Sequence, residues 1–283
     1  MFASTLSRRA ALGAGLVLSL GAFRSGEAVF APSAEPWDRW TRHDPANARS
    51  VDHAAWNRFL ARYVVAGADG INRVAYGRAG ADDRAALGSY LAGLAGTDVD
   101  GLSRAEQMAF WINLYNATTI RVVLDHYPVA SIRDIDISPG LFADGPWDAP
   151  LVTVSGEALT LNDIEHRILR PLWRDARVHY ALNCAALGCP NLAPVAYTGA
   201  TVEGMLELAA RAFVSHPRGV TIAGDEVTVS RLYDWYIEDF GDSEAGVIDH
   251  LTHYAEPDLA GRLRAIGRLD GTTYDWALND ADS

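Results

Sequence analysis

A single long helix constrains this chain more than any other stretch. Ser103 stands three residues before Glu106, the spacing of a capping box, and the apolar residues that follow leave no polar stripe: Phe110, Trp111, Ile112, Leu114, Tyr115, Ile120, Val122, Val123 and Leu124. The run ends after His126, where Tyr127-Pro128 removes a backbone donor and disfavours helical backbone before the proline. A helix that is apolar on nearly every side has no face to give to water, so it belongs at the centre of a fold. Asn113 and Asn116 lie three apart on it and face the same way. Two asparagines in such a setting want partners, either as a polar network that holds a neighbouring loop or as groups that position a site.

The elements around this helix are shorter. Residues 35–49 are polar with two prolines and read as an arm on the surface; Trp56, Phe59 and Leu60 mark a helix over 51–63. A Gly-rich break at 67–70 precedes a second helix from Ala81 to Leu94, ended by Gly96. Residues 131–150 read as irregular, anchored by Trp147. An internal echo follows: Val152-Thr-Val-Ser-Gly-Glu-Ala-Leu-Thr-Leu-Asn162 matches Val220-Thr-Ile-Ala-Gly-Asp-Glu-Val-Thr-Val-Ser230. Each copy reads as a hairpin whose last residue, Asn162 or Ser230, caps the next helix, and the two are expected to share one antiparallel sheet. The first of those helices, from Asp163 to Arg170, turns Ile164, Ile168 and Leu169 inward and carries Glu165 and His166 beside that face. The second, Arg231 to Phe240, is heavily aromatic; helices near 244–253 and 258–264 follow, and the aromatics of 274–279 tie the tail to the body. The expected fold is therefore α+β: a mainly helical single domain with a small antiparallel sheet beside the long helix.

Ser7-Arg8-Arg9, the apolar run from Ala10 to Leu20 and the small residues up to Ala34 have the layout of a cleaved export signal of the twin-arginine type. The run is shorter than the ~20 residues of a spanning helix, so a periplasmic or secreted protein without stable membrane insertion is expected. Residues 35–99 then form the arm and first helices, and 100–283 the core domain. The chain contains no lysine; its 24 basic residues are all arginine, which excludes Schiff-base chemistry, Walker-type phosphate loops and Ser-Lys hydrolysis. A net charge of -12 speaks against nucleic acid or anionic membrane as a partner.

Both cysteines lie in Val178–Leu192. Val178, Tyr180 and Leu182 alternate with His179, Ala181 and Asn183, the pattern of a half-buried strand, and Ala185 to Leu187 can form one helical turn after it. Cys184, at the strand exit, would meet the free N–H groups of that turn, which favour a thiolate. Equally, two cysteines so close in an exported protein suit a Cys184–Cys189 disulfide. Zinc fits poorly, because Cys-x4-Cys and His-x12-His match no standard ligand spacing, and no cofactor motif is present.

The runs Ala109-Phe-Trp-Ile-Asn-Leu-Tyr-Asn-Ala117, Leu161-Asn-Asp-Ile-Glu-His-Arg-Ile-Leu-Arg170 and His179-Tyr-Ala-Leu-Asn-Cys-Ala-Ala-Leu-Gly-Cys-Pro190, with 232–240 and 274–279, resemble the domain of unknown function 547 family over about residues 100–280. That family resembles the papain and transglutaminase type of thiol enzyme, which implies Cys184 or Cys189 as nucleophile and His166 or His179 as base. Asn191 stands where the family pattern has a second proline and Asp234 where it often has a lysine, so no role for a basic residue carries over to position 234. The arrangement preferred on this basis is Cys184 as nucleophile, His166 as base and Glu165 or Asn113 as support, with Asn116, His179, Asn183, Cys189 and Trp235 as substrate contacts. It would make the protein a thiol hydrolase or acyltransferase on a peptide or cell-envelope amide. The alternative is a non-catalytic module that binds a small molecule or peptide in a cleft walled by Trp111, Tyr115, Tyr233 and Trp235, with the two cysteines joined.

Overall fold

The structure is a computed structural model in which residues 31–140 and 144–282 are described. The export segment read over 1–34 falls, through residue 30, outside them. Among the described residues no helix is long and apolar enough to cross a membrane.

Three helices pack in sequence: α1 (Ala54–Tyr63), α2 (Ala81–Ala95) and α3 (Arg104–His126). A short antiparallel pair, β1 (Val64–Ala66) and β2 (Asn72–Val74), separates the first two. From Glu106 to Leu124 every residue of α3 except Arg121 is buried, as its composition requires. Ser103 Oγ accepts the Glu106 N–H at 3.3 Å, half of the expected capping box. The other half is diverted: the Glu106 carboxylate accepts from the N–H groups of Val51 (2.7 Å) and Gly199 (2.7 Å) and from Ser50 Oγ (3.2 Å), fastening two distant segments to the first turn. The arm is largely exposed, yet Trp40 is buried edge-on against Trp111, and Glu35 and Trp37 donate to the carbonyls of His166 and Arg167.

The echoed sequences do form hairpins, β3 (Val152–Val154) with β4 (Glu157–Leu159) and β5 (Val220–Ala223) with β6 (Glu226–Ser230). They do not share a sheet: β3–β4 stands alone, while β7 (Gly271–Thr273) adds in parallel to β6. The turns also differ by a one-residue slide. In the first copy Ser155 and Gly156 make the loop with φ 49° and 84°; in the second, Gly224 opens it with φ 62° and Asp225 completes it. The first strand pair ends at Leu159 and the chain passes into a helix, whereas the second runs on to Ser230.

Asn162 is not the cap of that helix. Thr160 is: its Oγ1 accepts the Asp163 N–H (2.9 Å) and the Asp163 carboxylate accepts the Thr160 N–H (3.0 Å). Ser230 Oγ accepts from Leu232 N–H at 3.3 Å, as expected. The segment Asp163–Leu169 is π-helical and runs into α4 (Arg170–Trp173). Val178–Ala181 is a helical turn, α5, rather than the expected strand. Every residue from Val178 to Asn183 is buried, so the alternation of apolar and polar types marks no exposed face. Beyond it lie α6 (Val202–Val214), α7 (Leu232–Trp235) with a 3₁₀ turn Ile237–Phe240, α8 (Glu244–Tyr254) and α9 (Pro257–Ile266). One apolar core surrounds α3; a second, with Phe213, Val229, Tyr233, Phe240 and Leu251, fills the space between the three-stranded sheet and α6–α9. The tail threads back through both halves, with Asn279 N–H donating to Ala185 O, Leu278 N–H to Ala130 O, and Val74 N–H to Asn279 O. The result is the mainly helical α+β domain expected.

Candidate functional site

The loop after α5 is shaped by amide side chains. Asn116 donates Nδ2–H to Ala181 O and accepts the Asn183 N–H, both at 2.8 Å, so it pairs with that segment as a strand neighbour would. Asn113 does the same for Tyr197, at 2.7 and 3.0 Å, and donates to His53 Nε2. Asn183 accepts from Ala185 N–H and Asn279 Nδ2–H and donates to Pro190 O. These three are at most 2% exposed and spent on backbone. None of the three lines the cleft described below, and their amides form a buried network that holds the neighbouring loops.

Between the cysteines the chain turns at Ala185, whose φ of 60° costs a non-glycine residue roughly 1–2 kcal/mol. The expected helical turn at Ala185–Leu187 is absent, and with it the helix N-terminus that would have favoured a thiolate. Cys184 and Cys189 are joined in a disulfide. The Tyr274 hydroxyl lies 3.0 Å from each sulfur, and Cys184 N–H donates to Cys189 Sγ at 3.0 Å.

Beside the disulfide is a buried charged network. His179 presents Nε2 to Asp239 Oδ2 at 2.7 Å and Nδ1 to Glu165 Oε1 at 3.3 Å, with its ring stacked on Tyr236 at 4.4 Å. Arg170 reaches Asp239 at 2.5 Å, Glu238 at 2.6 Å and Pro32 O at 2.7 Å. Burial disfavours the imidazolium of His179, but Asp239 and Glu165 outweigh it and raise the pKa. Burial likewise pushes Glu165 up, and His166, His179 and Arg170 overcome it, holding the carboxyl at about 2. His166 moves the other way: burial, partly opposed by Glu165, lowers it to about 4. Its Nδ1 faces Arg170 Nη1 at 3.0 Å, and because a guanidinium only donates, Nδ1 is the accepting nitrogen and Nε2 carries the proton.

Above these groups opens a cleft of about 420 Å³. Trp147, Trp235, Tyr274 and Trp276 form one wall, with ring centroids 4.7–5.8 Å apart between neighbours, and Tyr115 and Tyr236 line it as well. Glu165, His166, His179, Cys184 and Cys189 all reach it. Of the nine residues singled out in the sequence, these five and Trp235 converge on one cavity, while Asn113, Asn116 and Asn183 stand behind it. Of the four aromatics expected to wall a cleft, Tyr115 and Trp235 do; Trp111 and Tyr233 are fully buried in the two cores. Burial raises Tyr115, Tyr236 and Tyr274, with Glu165 adding to the effect, so their hydroxyls stay protonated donors.

Chemically, the cleft offers an aromatic wall, hydroxyl and imidazole donors, the Arg133 guanidinium, the carboxyl groups of Asp144, Asp148 and Glu165, and a disulfide. Among the described residues no group of three or more His, Cys, Asp or Glu is placed to hold a metal ion. Sequence reasoning missed Arg170, Tyr236, Asp239 and Trp276. Arg170 follows His166 by four residues and so shares its helix face, a usable signal. Tyr236 and Asp239 lie in the run 232–240 that shares the family resemblance, but only the tertiary fold brings the turn after α7 to α5.

Neither a curated protein nor a solved structure matches the chain. Residues 99–214, which hold α3, the π-helical segment and the disulfide loop, match the profile of the family described as "Protein of unknown function, DUF547", and over that segment the chain is similar to that family.

Proposed function

We propose that this protein is a ligand-binding module whose aromatic cleft takes a small molecule or peptide. The observation that carries the reading is a contrast within the cleft: the two sulfurs are bonded to each other, His179 lies between two carboxylates and His166 Nδ1 accepts from Arg170, while about 420 Å³ of aromatic-walled space, within the usual size of ligand pockets, opens above them. Export, read from the twin-arginine pattern, agrees with a disulfide that persists in an oxidising compartment. The test is a ligand screen read by tryptophan fluorescence, since Trp147, Trp235 and Trp276 all face the cleft. A compound or peptide that quenches the native protein, and loses at least tenfold in affinity on Trp235→Ala, supports the reading; a library with no such member discards it.

Thiol hydrolysis or acyl transfer is the second reading. It is favoured by one observation, the convergence of Cys184, His166 and Glu165 on the same cavity. It requires a reduced Cys184 and an unprotonated His166 Nε2, opposite to the tautomer that Arg170 selects. Turnover of amide or thioester substrates by the reduced protein, abolished by Cys184→Ser, would place this reading first.

A further inference from the structure

From the surroundings of its two sulfurs we infer that the Cys184–Cys189 disulfide is a thiol–disulfide exchange couple, which accepts electrons from substrate thiols brought along the cleft. The position of the substrate rests on the ligand-binding reading; the chemistry of the couple does not.

Three observations point away from a structural bridge. First, the loop is held without it. Asn183 spans from Ala185 N–H to Pro190 O, Cys189 N–H donates to Ala186 O, and Leu187 and Gly188 donate to Ala277 O and Asp275 O. Gly188 packs so tightly on Asp275 that an added Cβ would lie 2.7 Å from its backbone nitrogen. The bond spans only five residues, the end of the scale where cross-linking constrains an unfolded chain least. Second, the sulfurs are unequal. Cys184 is partly exposed at the cleft, whereas Cys189 is 2% exposed. Third, the buried sulfur is supplied with donors, namely the Cys184 N–H and the Tyr274 hydroxyl. Behind it stands the Arg218 guanidinium, which among the described residues donates to Cys189 O (2.6 Å), Leu187 O (3.1 Å), Asn191 Oδ1 (2.9 Å) and His216 Nδ1 (3.3 Å) and to no carboxylate. A structural disulfide needs none of this, but a leaving thiolate does.

The reaction is a two-step exchange. A substrate thiolate attacks Cys184 Sγ, the S–S bond breaks, and its electron pair goes to Cys189 Sγ, where the backbone and phenol donors receive it. This leaves a mixed disulfide between the substrate and Cys184. A second substrate thiolate then attacks the substrate sulfur of that bond, releases Cys184 as a thiolate, and departs as the substrate disulfide. Two electrons pass to the protein, and the two protons lost by the substrate thiols balance those taken up as the cysteines become thiols. A more oxidising disulfide returns the couple to its starting state. Stabilising the reduced form makes such a couple an oxidant.

The experiment uses the full folded chain in buffers of varied reduced-to-oxidised glutathione ratio, with free thiols counted by alkylation and mass. The expected result is a titration between disulfide and dithiol within the accessible ratios. Tyr274→Phe should shift its midpoint about tenfold toward the disulfide, equivalent to about 30 mV. Single variants provide an internal check: Cys189→Ser should capture glutathione on Cys184, while Cys184→Ser should leave the buried Cys189 unmodified in the folded protein. A couple that stays oxidised at every ratio, or capture on Cys189 in place of Cys184, overturns the inference. Exchange by a protein whose fluorescence responds to no ligand would keep the couple and discard the cleft reading; ligand binding without exchange would do the reverse.

Discussion

Two sets of buried polar side chains support the disulfide loop, and they work by opposite means. On one side Asn113, Asn116 and Asn183 use neutral amides, matched chiefly to backbone partners, with His53 and Asn279 as the side-chain exceptions. On the other, Glu165, His179, Asp239 and Arg170 use charges that are stable only in one another's company. The amide set carries no charge of its own and holds the chain. The charged set costs more to bury, responds to pH, and faces the cleft through Glu165 and His179. That difference separates scaffold from site more sharply than residue type or burial does.

The largest effect that would break the contrast is expected from Arg170→Met. Removing the cation leaves Asp239 and Glu165 with His179 alone and should cost ~3–5 kcal/mol in urea unfolding. If the cost is below 1 kcal/mol, the network is not a unit. Next comes pH. His166 holds its proton less tightly folded than unfolded, so its contribution is complete above the unfolded value of 6.5 and is lost as pH falls toward about 4, by roughly 3 kcal/mol. His179, raised in the folded state, contributes fully below 6.5 and loses that contribution as pH rises through its folded pKa. Stability should therefore fall on both sides of pH 6.5, with His166→Gln flattening the acid limb and His179→Gln the alkaline one. On the amide side, Asn116→Ala orphans Ala181 O and Asn183 N–H and should cost ~2–3 kcal/mol. Its stability curve should run parallel to that of the native protein from pH 5 to 8; a changed slope would join the two sets into one. The smallest effect concerns the helix that presents Glu165 and His166. Thr160→Ala should lose ~1 kcal/mol as a cap, and Asn162→Ala, on the surface, no more than ~0.5 kcal/mol.

Much of this was legible before any coordinates. The central helix followed from its composition, and the two echoed segments announced hairpins. Their placement did not follow, because β6 takes its second partner from Gly271–Thr273, some forty residues further on, and no local pattern announces that pairing. Residues 178–183 misled for a plainer reason: alternation reports a face only where one face is wet, and here neither is. The site was half visible. Its cysteines, histidines and glutamate stand in two short runs within residues 161–190, whereas Tyr236, Asp239, Tyr274 and Trp276 come from the more distant runs 232–240 and 274–279, which only the tertiary fold brings to the cleft.

The passage of the tail through the cleft has a consequence for how the molecule is made. Asn279 pairs with Val74 and Tyr76, more than two hundred positions earlier, and Tyr274 touches both sulfurs from ninety positions away. Such closures come late in folding, since the entropy of large loops is spent before their contacts repay it. The cleft is therefore completed by residues 274–279. A growing polypeptide can assemble the helices around α3 before it has that wall, and Cys184 and Cys189 lack the cover of Tyr274 until those residues arrive.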